Sequence, residues 1–548
     1  MGTFKRHYCI CRASVKAWYD FPPLRFSRRS ETVSICGVPL QSVVAATLCS
    51  LLLACNDNTV GTVPVSNEYK IGGVITGLVG SGLELRNNSS DSATIASNGF
   101  FTFSSRIANN TSYSINVSAQ PAGQRCSVAN SGGTINSADV ANVIVSCTNL
   151  SAHYMYVASQ DSVNVLGYVI DADTGTLSAM PDSPFVAGSF PVGITVVPTG
   201  KFAYIVNSKS NSISAYTVDA KAGSLVELVG SPYVTGIDPN PLVADPVGKF
   251  AYVTNYGDNT VSAFSIDSKT GALTAVAGSP FATDLGPAAL AIAPSGQFAF
   301  LINSGSNTLS AYNINADTGA LAAIPGSPLK TGTQPVSLGL DPTGRFVYVV
   351  NSGSVNVSAY AITGGTGVLT EVPGSPFMTG SQPSALAIDA AGKYIYIVNS
   401  GSGYVSAFRI NADGSLAIVP GSPFLTGQQP GSVTIDPSGK FAYVINNGSR
   451  NVSAYTINPN SGVLTEVSGS PFAALTGTAS LKVDPSGQFA YVTDFGAHSI
   501  WSYSIGKDSG ALTAVAGSPL VVATCKTPNL PITCLTTPLP RITAVVIW

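Results

Sequence analysis

One interval constrains this chain more than any other feature. The aromatic residue near the end of each Phe-Ala-Tyr-Val-type segment falls at Tyr156, Tyr204, Tyr252, Phe300, Tyr348, Tyr396, Tyr443 and Tyr491, with successive spacings of 48 residues and a single one of 47. A fixed period in this range means an array of one supersecondary unit that cannot bury its apolar face alone. Because the unit is made of short apolar runs separated by turn residues, the array predicts an all-β chain and a β-propeller, not a helical solenoid.

One unit shows the expected pattern. Pro335 to Leu340 reads as the first strand, and Asp341-Pro342-Thr343-Gly344 fits a type I turn, with Asp capping, Pro presetting φ and Gly closing. Arg345 to Asn351 reads as a second strand buried on both faces, and Asn351 opens a Ser/Gly loop. Val355 to Ile362 reads as the third strand and Val368 to Val372 as the outermost. Gly374-Ser-Pro-Phe377 is read as the start of the return to the next blade. Glu227, Glu371 and Glu466 lie on the outermost strand, where a charge discourages pairing with another chain.

The first unit lacks its opening strand, and seven complete units follow. Residues Pro540 to Trp548 echo the missing strand (compare Pro191 to Val197), so the expectation is eight four-stranded blades closed by the C-terminal residues, with seven blades as the alternative. The propeller is assigned to residues 150–548. Short alternating segments over 68–148 predict a small Ig-like or transthyretin-like β-sandwich, and polar residues 56–67 a tether.

The longest apolar run, Val43 to Ala54, is shorter than the roughly 18 residues of a spanning helix. It follows Arg25, Arg28 and Arg29 and ends in Leu52-Leu53-Ala54-Cys55, the pattern of a secretory signal peptide. That ending resembles the bacterial lipobox, so residues 1–55 are read as a signal peptide and Cys55 as the lipid-bearing residue. The stretch before the apolar run is long for a signal peptide, which suggests a true start near Leu24. Export makes disulfides the expectation for Cys126 with Cys147 and for Cys525 with Cys534, and their spacings lack any zinc pattern. Removal of residues 1–55 takes away seven cations and two acids, leaving an acidic chain with no footprint for nucleic acid. The expectation is a monomer held in the bacterial cell envelope through lipid alone, either periplasmic or at the outer membrane and cell surface, without cofactor or metal.

Tyr252-Val253-Thr254-Asn255 and Tyr491-Val492-Thr493-Asp494 resemble the repeat named for Tyr-Val-Thr-Asn. With the Asp-Pro-x-Gly, Thr-Gly-x-Leu and Gly-Ser-Pro-Phe elements around them, residues 150–548 resemble the lactonase-like propellers, relatives of 6-phosphogluconolactonase. The resemblance implies a propeller, typically of seven blades, and an activity of opening lactones with Arg, His and acidic residues at the central channel. Lactone opening needs a base to activate water and a group to take charge on the carbonyl oxygen.

Candidates for those roles are few. His153 occupies the place of Lys201, Lys249, Arg345, Lys393 and Lys440, a repeated stripe read as a solvated rim. Arg409 and Arg450 stand at positions that do not repeat. In the eighth unit Asp494 replaces the Asn of 207, 255, 303, 351, 399 and 446, His498 follows four residues on, and Trp501 replaces a small residue. Asp494 and His498 are therefore the candidate catalytic residues, with Trp501 a candidate face for stacking a sugar. Asp171-Ala-Asp173-Thr-Gly175 occupies a hairpin turn and lacks the later acid of a calcium loop. The near-identical, hydroxyl-rich blades favour an envelope ring that binds a protein or glycan partner; the alternative is an exported lactonase acting on a sugar lactone.

Overall fold

The computed structural model describes residues 67–78, 82–88, 91–119, 124–149, 153–159, 163–473, 477, 479–494, 496–522 and 542–547. Cys55, Cys525, Cys534 and the expected signal and tether lie outside them. Contacts divide the chain into two units, Met1–Asn67 and Glu68–Trp548. Every named element is a β-strand.

Besides a two-stranded pairing of Glu68–Tyr69 with Ile107–Ala108, the strands over 68–149 form two four-stranded sheets. One joins Gly99–Thr102, Ile71–Thr76, Val140–Asn149 and Gln124–Ala129 in that order; the other joins Asp91–Ile95, Leu83–Asn87, Ser112–Ala119 and Gly132–Thr134. Alternation along these strands buries Ile71, Ile75, Leu83, Leu85, Tyr113, Ile115, Val143 and Val145 in one core. Cys126 and Cys147 are directly opposite in the antiparallel pair and form a disulfide.

Among the described residues eight further sheets follow, each a blade. In the fifth, Pro335–Leu340, Phe346–Asn351 and Asn356–Ile362 pair antiparallel in succession. Phe346–Asn351 is buried at every residue, because its two faces serve two neighbours. Phe346, Tyr348 and Val350 pack with Ile395 and Ile397 of the sixth blade, while Val347 and Val349 pack with Phe298, Phe300 and Ile302 of the fourth. Each such side chain contributes about 1.5–3 kcal/mol through burial. The period-2 alternation of one strand thus builds two inter-blade cores.

Polar groups fix the register of the ring. The buried carboxylate of Asp341 accepts the N–H groups of Arg345 (2.5 Å) and Phe346 (2.8 Å), and the Gly344 N–H closes the turn on the Asp341 carbonyl. Between blades, a strand-two tyrosine donates its hydroxyl to a glycine carbonyl of the next blade. Tyr156 reaches Gly223, Tyr204 reaches Gly271, Tyr252 reaches Gly319, Tyr348 reaches Gly414, Tyr396 reaches Gly462 and Tyr443 reaches Gly510.

The outer edge differs from the expectation. Phe377–Met378 does not leave the blade: it pairs with Asn356–Val357, just as Leu369–Glu371 pairs with Tyr360–Ile362. The outermost strand is therefore one edge broken by Gly374-Ser375-Pro376. The break leaves the Ala359 N–H without a backbone acceptor on that edge, and the Ser375 hydroxyl takes it at 3.1 Å. The same serine contact recurs in all eight blades, at Ser183, Ser231, Ser279, Ser327, Ser375, Ser422, Ser470 and Ser518. This contact gives the repeated serine its physical role.

The first blade is completed from the other end of the chain. Ile542–Ile547 pairs antiparallel with His153–Ser159, setting Tyr156 opposite Val546 and Val157 opposite Val545. Met155 and Val157 then pack with Phe489 and Tyr491 of the eighth blade. His153 belongs to this seam and not to a solvated rim: it is half-buried, with Nδ1 3.6 Å from Oδ2 of Asp484.

Candidate functional site

Each blade starts its innermost strand at the face where its second strand ends, since Pro335 is opposite Asn351. That face is made of the loops joining strands two and three, together with the connections that lead to the next innermost strand. The opposite face carries the capped Asp turns and the hairpins joining strands three and four, and it repeats closely. In those hairpins the exposed Asp171 caps its own turn: its Oδ1 accepts the Thr174 hydroxyl and the N–H groups of Asp173 and Thr174. Burial alone would raise the Asp171 carboxyl, but these hydrogen bonds outweigh it and hold the carboxyl below its ordinary value. Among the described residues no group of three His, Cys, Asp or Glu side chains is placed to hold a metal ion.

The first face is where the blades depart from one another. The last residue of the two–three loop is left-handed in seven blades, and its identity changes around the ring: Asn211, Asn259, Asn307, Val355, Gly403, Arg450 and His498. Arg450 (φ 58°) and His498 (φ 50°) thus occupy the same loop position on adjacent blades, Arg450 exposed and His498 half-buried.

Asp494 ends the second strand of the eighth blade and is fully buried. Its Oδ1 accepts the N–H groups of Gly496 (2.9 Å) and Ala497 (3.1 Å), so it organises the loop that carries His498. In six other blades the residue at this place is Asn, whose Nδ2 donates to a serine on the third strand, as from Asn303 to Ser310 and from Asn446 to Ser453. Trp501 stands where that serine would be. Its ring packs with the core between the seventh and eighth blades and stacks on Tyr503, centroids 6.1 Å apart. Trp501 is therefore a packing residue in this seam and not an open face for a sugar. The exchanges at 494 and 501 alter the two ends of one hydrogen bond.

The other basic candidates lie elsewhere. Arg409 is exposed on the third strand, opposite Tyr394 and Ala417, in the half of the blade away from the variable loops. Arg345 donates to the Thr343 hydroxyl at 2.8 Å and lies over the Phe346 ring on the repeating face.

A second group of residues on the variable face escaped the sequence reading: Gln334 and Gln382, one blade apart, each preceding the proline that opens an innermost strand, and Val355 between them. Both glutamines have positive φ, 53° and 51°. The signal that could have found this group is the exchange of Asn for Val within the aligned loops.

The sheets define a β-propeller whose blades differ from one another at the loops of one face. Residues 153–286, 274–377 and 372–474 match the family described as "Lactonase, 7-bladed beta-propeller", and the chain belongs to that family. Its eight blades depart from the seven of that description.

No curated protein matches the chain. Among solved structures it is similar to a proposed 6-phosphogluconolactonase of Bacteroides fragilis, with 21% identity, TM-score 0.49, 73% of this chain and 98% of that one. It is also similar to the periplasmic gluconolactonase of Pseudomonas aeruginosa, with 20% identity, TM-score 0.47, 59% of this chain and 97% of that one. Family membership favours the lactonase expectation over the binding ring.

Proposed function

We propose that the protein is an exported lactonase that opens the ring ester of a sugar lactone. The observation that carries this reading is the family match across residues 153–474. The variable face supplies groups of the required kinds. His498 takes a proton from water as the water oxygen adds to the lactone carbonyl. Arg450, on the neighbouring blade, stabilises the oxyanion. The ring C–O bond then breaks, the proton passes to the departing alkoxide, and the product is the open hydroxy acid. Asp494 is a positioning residue, acting through the loop it caps. The Cys126–Cys147 disulfide supports an oxidising compartment, and Cys55 is proposed as the lipid anchor that keeps the protein at the envelope.

The test is hydrolysis of D-glucono-1,5-lactone and of its 6-phosphate by the purified protein. Turnover above the buffer rate is expected, falling about 10²-fold or more in His498→Ala and in Arg450→Ala. Lys201→Ala, on the opposite face, leaves the rate unchanged. Absence of turnover on both lactones would overturn the reading in favour of a binding ring.

A further inference from the structure

A cleft of 460 Å³ opens on the variable face between the fifth and sixth blades. Its walls include Gln334, Val336, Ser352, Val355, Gln382 and Ser384, and no ionisable side chain lines it. The repeat explains one of its hydrogen-bonding groups. Where the left-handed loop residue is Asn, its Oδ1 accepts the N–H that precedes the next innermost strand: Asp238 to Asn211 (3.0 Å), Gly286 to Asn259 (2.7 Å) and Gln334 to Asn307 (2.7 Å). In the fifth blade the residue is Val355, which has no acceptor to offer. Among the described residues none takes the Gln382 N–H, so this donor is left to the cleft.

Val355 is also a strained choice. Its φ is 60°, a conformation that Asn tolerates and a β-branched residue rarely adopts. Strain of this kind persists where the surroundings enforce it, and it gathers at ligand sites. The two amide groups are held alike. Gln334 Oε1 and Gln382 Oε1 each lie 3.2 Å from where a Cβ would stand on Gly353 and Gly401, so glycine at those loops leaves room for the amides. The Ser384 hydroxyl donates to the Gly431 carbonyl (3.3 Å) and that of Ser400 to the Gln382 carbonyl (3.1 Å), which leaves both oxygens able to accept.

We infer that this cleft is a binding site for a neutral, polyhydroxylated ring, that is, an unphosphorylated sugar or its lactone. Amide and hydroxyl groups that both donate and accept match vicinal hydroxyls, the Gln382 N–H adds a fixed donor, and Val336 and Val355 offer an apolar patch to ring C–H groups. The volume falls within the roughly 300–1,000 Å³ of small-molecule sites. A phosphate would lose hydration here without meeting a cation. The site stands apart from His498 and Arg450, and binding here neither requires nor reports hydrolysis.

Calorimetric titration of the purified protein with D-glucose, D-galactose and D-glucose 6-phosphate tests this, and the readout needs no turnover. Saturable binding of at least one neutral hexose is expected, with the phosphate weaker by about tenfold or more. Val355→Asn restores the cap to the Gln382 N–H and relieves the strained φ. It should raise the melting temperature while weakening hexose binding by about tenfold or more. Gln382→Ala provides a second loss of binding through the side-chain amide. Failure of both hexoses to bind, equal binding of the phosphate, or unchanged binding in Val355→Asn would each overturn the inference.

Discussion

The Tyr491 hydroxyl donates to the Gly175 carbonyl at 3.0 Å, so the eighth blade grips the first by the bond that joins other neighbours around the ring. The junction between distant parts of the chain is built like the internal ones. Only the fourth blade breaks the series, since Phe300 has no hydroxyl to offer.

Tyr491→Phe should destabilise the protein by about 1–2 kcal/mol, because a buried carbonyl loses its donor while the ring still fills its place. Phe300→Tyr, which would offer the Gly367 carbonyl of the fifth blade a hydroxyl as Tyr252 does for Gly319, should stabilise it by about 1 kcal/mol. Chemical unfolding of the two variants measures both. A neutral result for Tyr491→Phe would show that the tyrosine bonds do not hold the ring.

Ser375→Ala removes the acceptor of the Ala359 N–H at the break in the outer strand. The expected cost is about 1–2 kcal/mol, with hydrogen exchange at Ala359 accelerated and that of Val349, in the inner pairing, unchanged. Uniform acceleration across the blade would contradict a local role for the serine.

Asp494→Asn gives the eighth blade the amide that six others carry. The Ser499 hydroxyl, buried without a partner among the described residues, would gain a donor, and the Oδ1 that caps the loop would be kept. A gain of about 1 kcal/mol is expected. Asp494→Ala loses the cap and should cost about 1–3 kcal/mol. If lactone turnover follows the cap, Asn retains it and Ala does not; loss in both variants would assign the carboxylate a direct role.

Stability should fall at both ends of the pH scale. Burial pushes Tyr216, Tyr360 and Tyr455 up to about 12 from an ordinary value of 10.0. A raised folded value means that their contribution is complete below pH 10 and is lost as pH rises through 12. Asp219 and Asp267, held below their ordinary value by backbone N–H groups of their own turns, contribute above the usual carboxylate range and lose that contribution as pH falls through it. Melting temperature against pH, with tyrosinate absorbance followed in parallel, checks the alkaline limb. Ionisation of these tyrosines near pH 10 in the folded protein would contradict it.

The period, the capped Asp turns and the closing strand were legible because each depends on residues close in sequence or on a repeated register. The likeness of Pro540 to Trp548 to Pro191 to Val197 pointed to the missing strand, which pairs over Ile542–Ile547. The broken outer edge was less legible, since Gly-Ser-Pro normally signals a turn, and only the Ala359 to Ser375 contact shows pairing resuming beyond it. The site was least legible. Asp494, His498 and Trp501 stand together in sequence, yet strand alternation and the seam send them to a buried cap, a loop and a core. Gln334, Val355 and Gln382 are far apart in sequence and were passed over, because each looks ordinary until its blades are set side by side.

The strand at Ile542–Ile547 also sets the order of events during synthesis. Inner blades can pair their strands as soon as each unit is available, but His153–Ser159 must wait for its innermost partner until Ile542–Ile547 has been made. Until then both ends of the nascent arc expose an unpaired edge. A stalled or clipped chain lacking Ile542–Ile547 would therefore remain an open arc, able to capture a strand from another copy.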